Sequence, residues 1–125
     1  MTFCQEGEYS AEEIRFGYKE KYWVKELTVS ISRIGEVQAR PESTEKLREF
    51  LISILPIIKA SRGCESVQLY QNHEDPSKFI MIEVWDSIES HQASVENIPA
   101  EKLGEIRPLL ATSPSGGYFG LVEQA

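Results

Sequence analysis

Much that would settle a function at once is missing from this chain. Only two cysteines, Cys4 and Cys64, occur in 125 residues. Neither sits in a CxxC pair, so a disulfide scaffold and a thiolate zinc site both lack support. Cys64 follows Gly63 at the expected start of a strand, with no histidine nearby in sequence to lower its pKa, and reads as a half-buried filler thiol. No run of about 18 apolar residues exists, so no membrane-spanning helix is expected. The opening MTFCQEGEYSAEEI has neither a basic nor an apolar stretch, so it does not read as a secretory signal, and a cytoplasmic protein is expected. Basic clusters are missing too: 13 Lys and Arg stand against 20 Asp and Glu, a net charge of -7. Such a surface repels phosphate backbones, and nucleic acid is not an expected partner. No GxGxxG or Walker spacing is present, and the SGG at 115–117 precedes a strand rather than a helix. His73, Glu74 and Asp75 are consecutive in a turn, where adjacent side chains do not converge on one ion. No metal, nucleotide or flavin cofactor is expected.

What remains is an ordinary globular composition, 41% hydrophobic and 26% charged, of a length that suits one domain. Residues 1–25 read apart from the rest. Ser10 and Glu13 have capping-box spacing, and Ile14, Tyr18 and Tyr22 recur every four residues, so a short amphipathic helical extension is expected there. The domain proper, 26–125, opens with a strand over Leu27–Val37. Pro41 ends it, and Ser43 or Thr44 caps a helix whose apolar stripe is Leu47, Leu51, Ile54, Leu55 and Ile58. Pro56 has no N–H and clashes one turn back, so the helix is expected to kink or end near Leu55. CESVQLYQN is a second strand, NHEDPSK a turn, and Phe79–Trp85 a third strand, joined to the second as an antiparallel hairpin. Two short helical pieces broken around Pro99 follow, then a last strand over SGGYFGLVEQ. The order is β-α-β-β-α-β, a ferredoxin-like α+β domain with four antiparallel strands and helices on one face.

That plan leaves one sheet face open, and a second copy of the chain is the simplest cover. In the third strand Ile80, Ile82 and Val84 point one way and are expected against the helices. Phe79, Met81, Glu83 and Trp85 point the other way and are expected on the open face, lining a partner surface or a cavity. Glu83 has two readings: a cross-sheet ion pair with Arg33, which is slightly favoured, or a desolvated carboxylate with a raised pKa, able to accept a proton. Trp85 is a core or interface anchor, or an indole wall for a flat ligand. Tyr70 is a hydrogen-bonding phenol or a rim residue. His91 is a surface or capping residue, or a base at a cavity mouth.

The stretch GCESVQLYQNHEDPSKFIMIEVWDSIESHQAS resembles the core of the antibiotic biosynthesis monooxygenase domain family. The shared features are a Gly-Cys strand start, an LYQN strand end, a D-P turn, and a strand ending E-x-W followed by S-x-E and a histidine. The resemblance spans about residues 27–123 and implies a homodimeric α+β barrel closed around small cavities. It implies a cofactor-independent monooxygenase acting on a quinol or phenolic aromatic, with Glu83 or His91 as base and Trp85, Tyr70, Met81 and Phe79 contacting substrate. The alternative is a non-catalytic dimeric binding or interaction module of the same fold. Two departures stand out: many members carry histidine nine residues after the tryptophan, where this chain has Ser94, and the haem-degrading members carry it at ten, where it has Val95. The asparagine that oxygenases of the family place in the cavity has no counterpart here beyond Asn72 and Asn97, both expected in turns or loops.

Overall fold

A computed structural model describes residues 29–125. The expected N-terminal helical extension lies outside the described residues. Four strands, β1 (Ile31–Gln38), β2 (Cys64–Gln71), β3 (Lys78–Trp85) and β4 (Ser115–Phe119), form one antiparallel sheet in the order β2-β3-β1-β4. Between β1 and β2 runs α1 (Thr44–Lys59), and between β3 and β4 run α2 (Ile88–Ser94) and α3 (Ala100–Ile106). The second crossover is therefore split, with Pro99 standing immediately before α3.

Helix α1 buries Leu47, Phe50, Leu51, Ile54 and Ile58, a stripe at helical spacing that faces the sheet. Burying each such side chain stabilises the fold by roughly 1.5–3 kcal/mol. Helix α1 does not end near Leu55 but runs through Pro56 to Lys59. Pro56 is exposed on the outer side, where the lost hydrogen bond leaves a carbonyl open to solvent. Ile58, the last residue but one of the helix, is buried in the core and holds the last turn down.

The side on which β3 buries its residues is the reverse of the sequence expectation. Phe79 and Trp85 are 1% and 0% exposed, and both belong to the core under the helices, with Met81 packed against it. Ile80, Ile82 and Val84 lie on the side away from the described helices, in register with Glu36, Ile34 and Ser32 of β1. The reason is size: α1 leaves a deep layer between helix and sheet, and an indole and a phenyl ring fill it better than three aliphatic chains. Glu83 goes inward with them because its alternation fixes it there.

One glycine sets the entrance to α2. Gly63 has φ of 91°, and a Cβ built on it would lie 2.5 Å from Ser90 Oγ and 2.7 Å from Asp86 Oδ1. Its carbonyl accepts from the Asp86 N–H at 2.9 Å. Ser87 caps α2 by accepting from the Ser90 N–H at 3.1 Å. The α1–β2 turn thus grips the start of α2 and fixes where His91 points.

Candidate functional site

Antiparallel register lays three polar side chains in one row across the helix-facing side of the sheet. Arg33 is paired at the Cα level with Glu83 of β3 on one side and with Tyr118 of β4 on the other. Above them α2 brings down His91. Its Nδ1 lies 2.6 Å from the Tyr118 hydroxyl, and its Nε2 is 3.8 Å from Glu83 Oε1. Glu83 Oε1 in turn accepts from the Trp85 indole N–H at 2.9 Å. The imidazole sits edge-on to both aromatic rings, 5.5 Å from Trp85 and 5.3 Å from Tyr118 between centroids. The tautomer that serves both neighbours has Tyr118 O–H donating to Nδ1 and the proton on Nε2, facing the carboxylate.

The expected Arg33–Glu83 ion pair does not form. The guanidinium turns instead over the Tyr118 ring, 5.1 Å from its centroid. Burial therefore pushes the Glu83 carboxyl above its ordinary value, opposed in part by the Trp85 N–H and by the charge of Arg33. Burial, reinforced by Arg33, pushes the His91 imidazole below its ordinary value, so it is neutral at neutral pH. A neutral imidazole and a carboxyl more basic than usual meet on the inner side of the sheet, and both are proton acceptors. Accessibility is graded: Glu83 is buried, while Arg33 and Tyr118 are half-buried.

Of the residues singled out from the sequence, Glu83, Trp85 and His91 come together. His91 is not a surface residue, for its side chain is 14% exposed. Phe79 and Met81 share the sheet face but sit further down β3, Phe79 in the core and Met81 packed against it. Tyr70 is on the opposite face, 49% exposed, in register with Ile80 and donating to Gln68 Oε1 at 3.1 Å. It cannot form an aromatic wall together with Trp85. It lines a separate groove of about 460 Å³ with Gln38, Lys78, Ile80 and Ser115. Cys64 packs against the core, its thiol raised by burial and by the charge of Glu83, as befits a filler. Asn72 is a turn residue, accepting from the N–H groups of Glu74 and Asp75. Among the described residues no group of three or more His, Cys, Asp or Glu could hold a metal ion. No helix there is long and apolar enough to cross a membrane.

Tyr118 escaped the sequence reading. The only hint was alternation: in SGGYF the tyrosine shares a face with Gly116, and both lie opposite the inward row of β1.

The internal geometry gives a pH-dependent expectation for Glu83. A carboxyl with a raised folded pKa favours folding below its unfolded value of about 4.5, and that contribution is lost as pH rises through the folded pKa. Ionised Glu83 thus weakens the fold at neutral pH. Glu83→Gln keeps an acceptor for the Trp85 N–H, so its thermal midpoint at pH 7 should equal or exceed wild type, and the gain should vanish near pH 4. A large loss of midpoint at pH 7 would instead mark Glu83 as a structural ion-pair partner.

Fold and site together define a ferredoxin-like α+β domain with an inward proton-accepting cluster at the junction of β3, α2 and β4. The profile of the family described as antibiotic biosynthesis monooxygenase matches residues 30–101, more than half of the chain. The chain belongs to that family. Among solved structures it resembles a proposed antibiotic biosynthesis monooxygenase of Chloroflexus aurantiacus, at 28% identity and TM-score 0.63, covering 77% of this chain and 96% of that one. It also resembles a protein proposed for the same activity from Nitrosomonas europaea, at 17% identity and TM-score 0.68, covering 79% and 96%. The fold of the Pseudomonas aeruginosa protein PA3566 is likewise similar, at 20% identity and TM-score 0.68, covering 79% and 100%. No curated protein matches the sequence.

Proposed function

We propose that the protein is a homodimeric oxygenase of an electron-rich phenolic aromatic, of the quinol or anthrone class, in which the substrate itself reduces oxygen. The observation that carries this reading is a neutral His91 hydrogen-bonded to the Tyr118 hydroxyl, with Glu83 behind it, in a chain of a monooxygenase family. The substrate hydroxyl gives its proton to Tyr118 as Tyr118 passes its own to His91 Nδ1. The imidazolium that results faces Glu83. The substrate anion then gives an electron to dioxygen, and the two recombine at carbon. For an anthrone the balance is one CH2 and one O2 converted to one C=O and one H2O. The protein supplies the base and the orientation. Oxygen uptake with a panel of quinols and anthrones tests it, with the isotope from labelled dioxygen expected in the product. No uptake across the panel would remove the oxygenase reading.

The homodimer belongs to the same proposal. Ile34, Ile80, Ile82 and Val84 make an apolar strip on the sheet face that no described helix covers, flanked by Tyr70 and Phe119, which are 49% and 54% exposed. A strip of this kind favours burial against a second copy. Sedimentation should give twice the 14.2 kDa monomer mass, and Ile82→Asp should give the monomer. A wild type that sediments as a monomer at micromolar concentration would remove the dimer.

A second reading, a non-catalytic binding module, draws on the tight packing of Trp85 and Phe79. The grooves along β1, beside α3 and on the outer side of α1 do not reach the His91 cluster. Binding of phenols without oxygen consumption is its signature.

A further inference from the structure

Arg33 is a half-buried cation whose donors are left over among the described residues. Among the described residues no carboxylate pairs with its guanidinium and no side-chain hydrogen bond engages it. An arginine is charged at every accessible pH and carries five N–H donors in a planar fork. Its position is nevertheless fixed closely. The guanidinium stacks on the Tyr118 ring, and a Cβ built at Gly116 would stand 3.0 Å from Nη2 and 3.1 Å from Cζ. It would also stand 2.9 Å from the carbonyl oxygen of Ile34. The fork thus lies flat on the β4 backbone in a space that exists because residue 116 has no side chain. The titratable groups shown around it are Glu83 on β3, His91 on α2 and Tyr118 on β4. Glu83 points its acceptor at Trp85 and His91, and the guanidinium faces β4, over the Tyr118 ring and beside Gly116.

We infer that Arg33 is the oxyanion-binding residue of this site: its guanidinium holds the phenolate formed when the Tyr118 hydroxyl passes a proton to His91. This rests on the proposed phenolic substrate and narrows it to phenols bound as their anions. A fixed fork beside the relay lowers the cost of separating charge, because the cation is already oriented when the anion appears. The arrangement also selects between ligands, since a phenol ether offers the same ring but no oxygen to ionise.

The probe is para-nitrophenol, whose anion absorbs in the visible. Bound to the wild type, it should ionise at lower pH than free in solution, by about tenfold or more in ionisation constant. Arg33→Gln should abolish that shift, and Arg33→Lys should retain part of it. Tyr118→Phe should slow proton uptake while leaving the final ionised fraction little changed. A second measurement needs no variant: the wild type should bind para-nitrophenol at least about tenfold more tightly than its methyl ether at pH 8. Equal affinity for the ether, or a shift that survives Arg33→Gln, would overturn the inference. Quinol turnover by a protein that binds only neutral probe would overturn it and leave the oxygenase reading standing. Arg33-dependent ionisation without oxygen uptake would do the reverse.

Discussion

Replacing His91 by alanine is expected to lower turnover of a phenolic substrate by about 10²–10⁴-fold, the usual contribution of a positioned general base. The fold should survive, because His91 belongs to the seven-residue helix α2, none of whose residues is fully buried. KM should change little, since the imidazole acts through Tyr118 rather than as the main contact surface. In the wild type, kcat/KM should be flat through neutral pH and fall only in acid. The fall should be centred below the ordinary histidine value of 6.5, because burial and Arg33 both disfavour the charged ring. Stability follows the same sign. A histidine with a depressed folded pKa contributes fully above its unfolded value, and the contribution is lost as pH falls through the folded one. Stopped-flow oxygen consumption over pH 4 to 8, wild type against His91→Ala and Tyr118→Phe, gives the profile. Tyr118→Phe should fall between the other two, having lost the relay but kept the base. An unchanged rate in His91→Ala would leave Glu83 alone as base, or no base at all.

How far such a site can be read from the chain is shown by strand β3. That Phe79–Trp85 is a strand, that it alternates, and that Glu83 and Trp85 share a face were all legible. Which face turns inward was not. Both sets are apolar, and a glutamate argues for the outside until its acceptor is seen to be filled by an indole N–H two residues away. That hydrogen bond is local, yet its value depends on burial, which is a property of the helices above. The same holds for His91. A polar segment SIESHQAS reads as a solvated helix, and only the grip of Gly63 on Ser90 and Asp86 turns its histidine inward. Tyr118 needed the register of β4 on β1, a contact between residues 85 positions apart in the chain. Arg33 was placed beside Glu83 correctly by strand pairing, but its fork swings to the other neighbour, a choice made by the missing side chain at Gly116. The split crossover at Pro99 and the turn at Asn72–Ser77 were legible because each depends on one residue type at one place.

Replacing Trp85 by alanine is expected to destabilise the domain by about 3–5 kcal/mol, the range for removing a large aromatic from a packed core. Trp85 is fully buried at the end of β3, paired with Ile31 and Cys64 across both neighbouring strands. Its loss also strips Glu83 of a donor, and a buried acceptor left unmet costs a further amount of about 1–3 kcal/mol. Against a total stability of about 5–15 kcal/mol, the variant should be close to unfolding at 37 °C. Trp85→Phe separates the two contributions, for it keeps most of the apolar volume and loses only the N–H. Its cost should lie near about 1–3 kcal/mol at pH 7. A cycle with Glu83→Leu should then show coupling: in the leucine background no carboxylate is left orphaned, so Trp85→Phe should cost markedly less. Urea unfolding of the four proteins measures it directly. If Trp85→Phe costs the same in both backgrounds, the indole N–H contributes nothing through Glu83. The carboxyl would then have to be held in place by the protein from the His91 side alone.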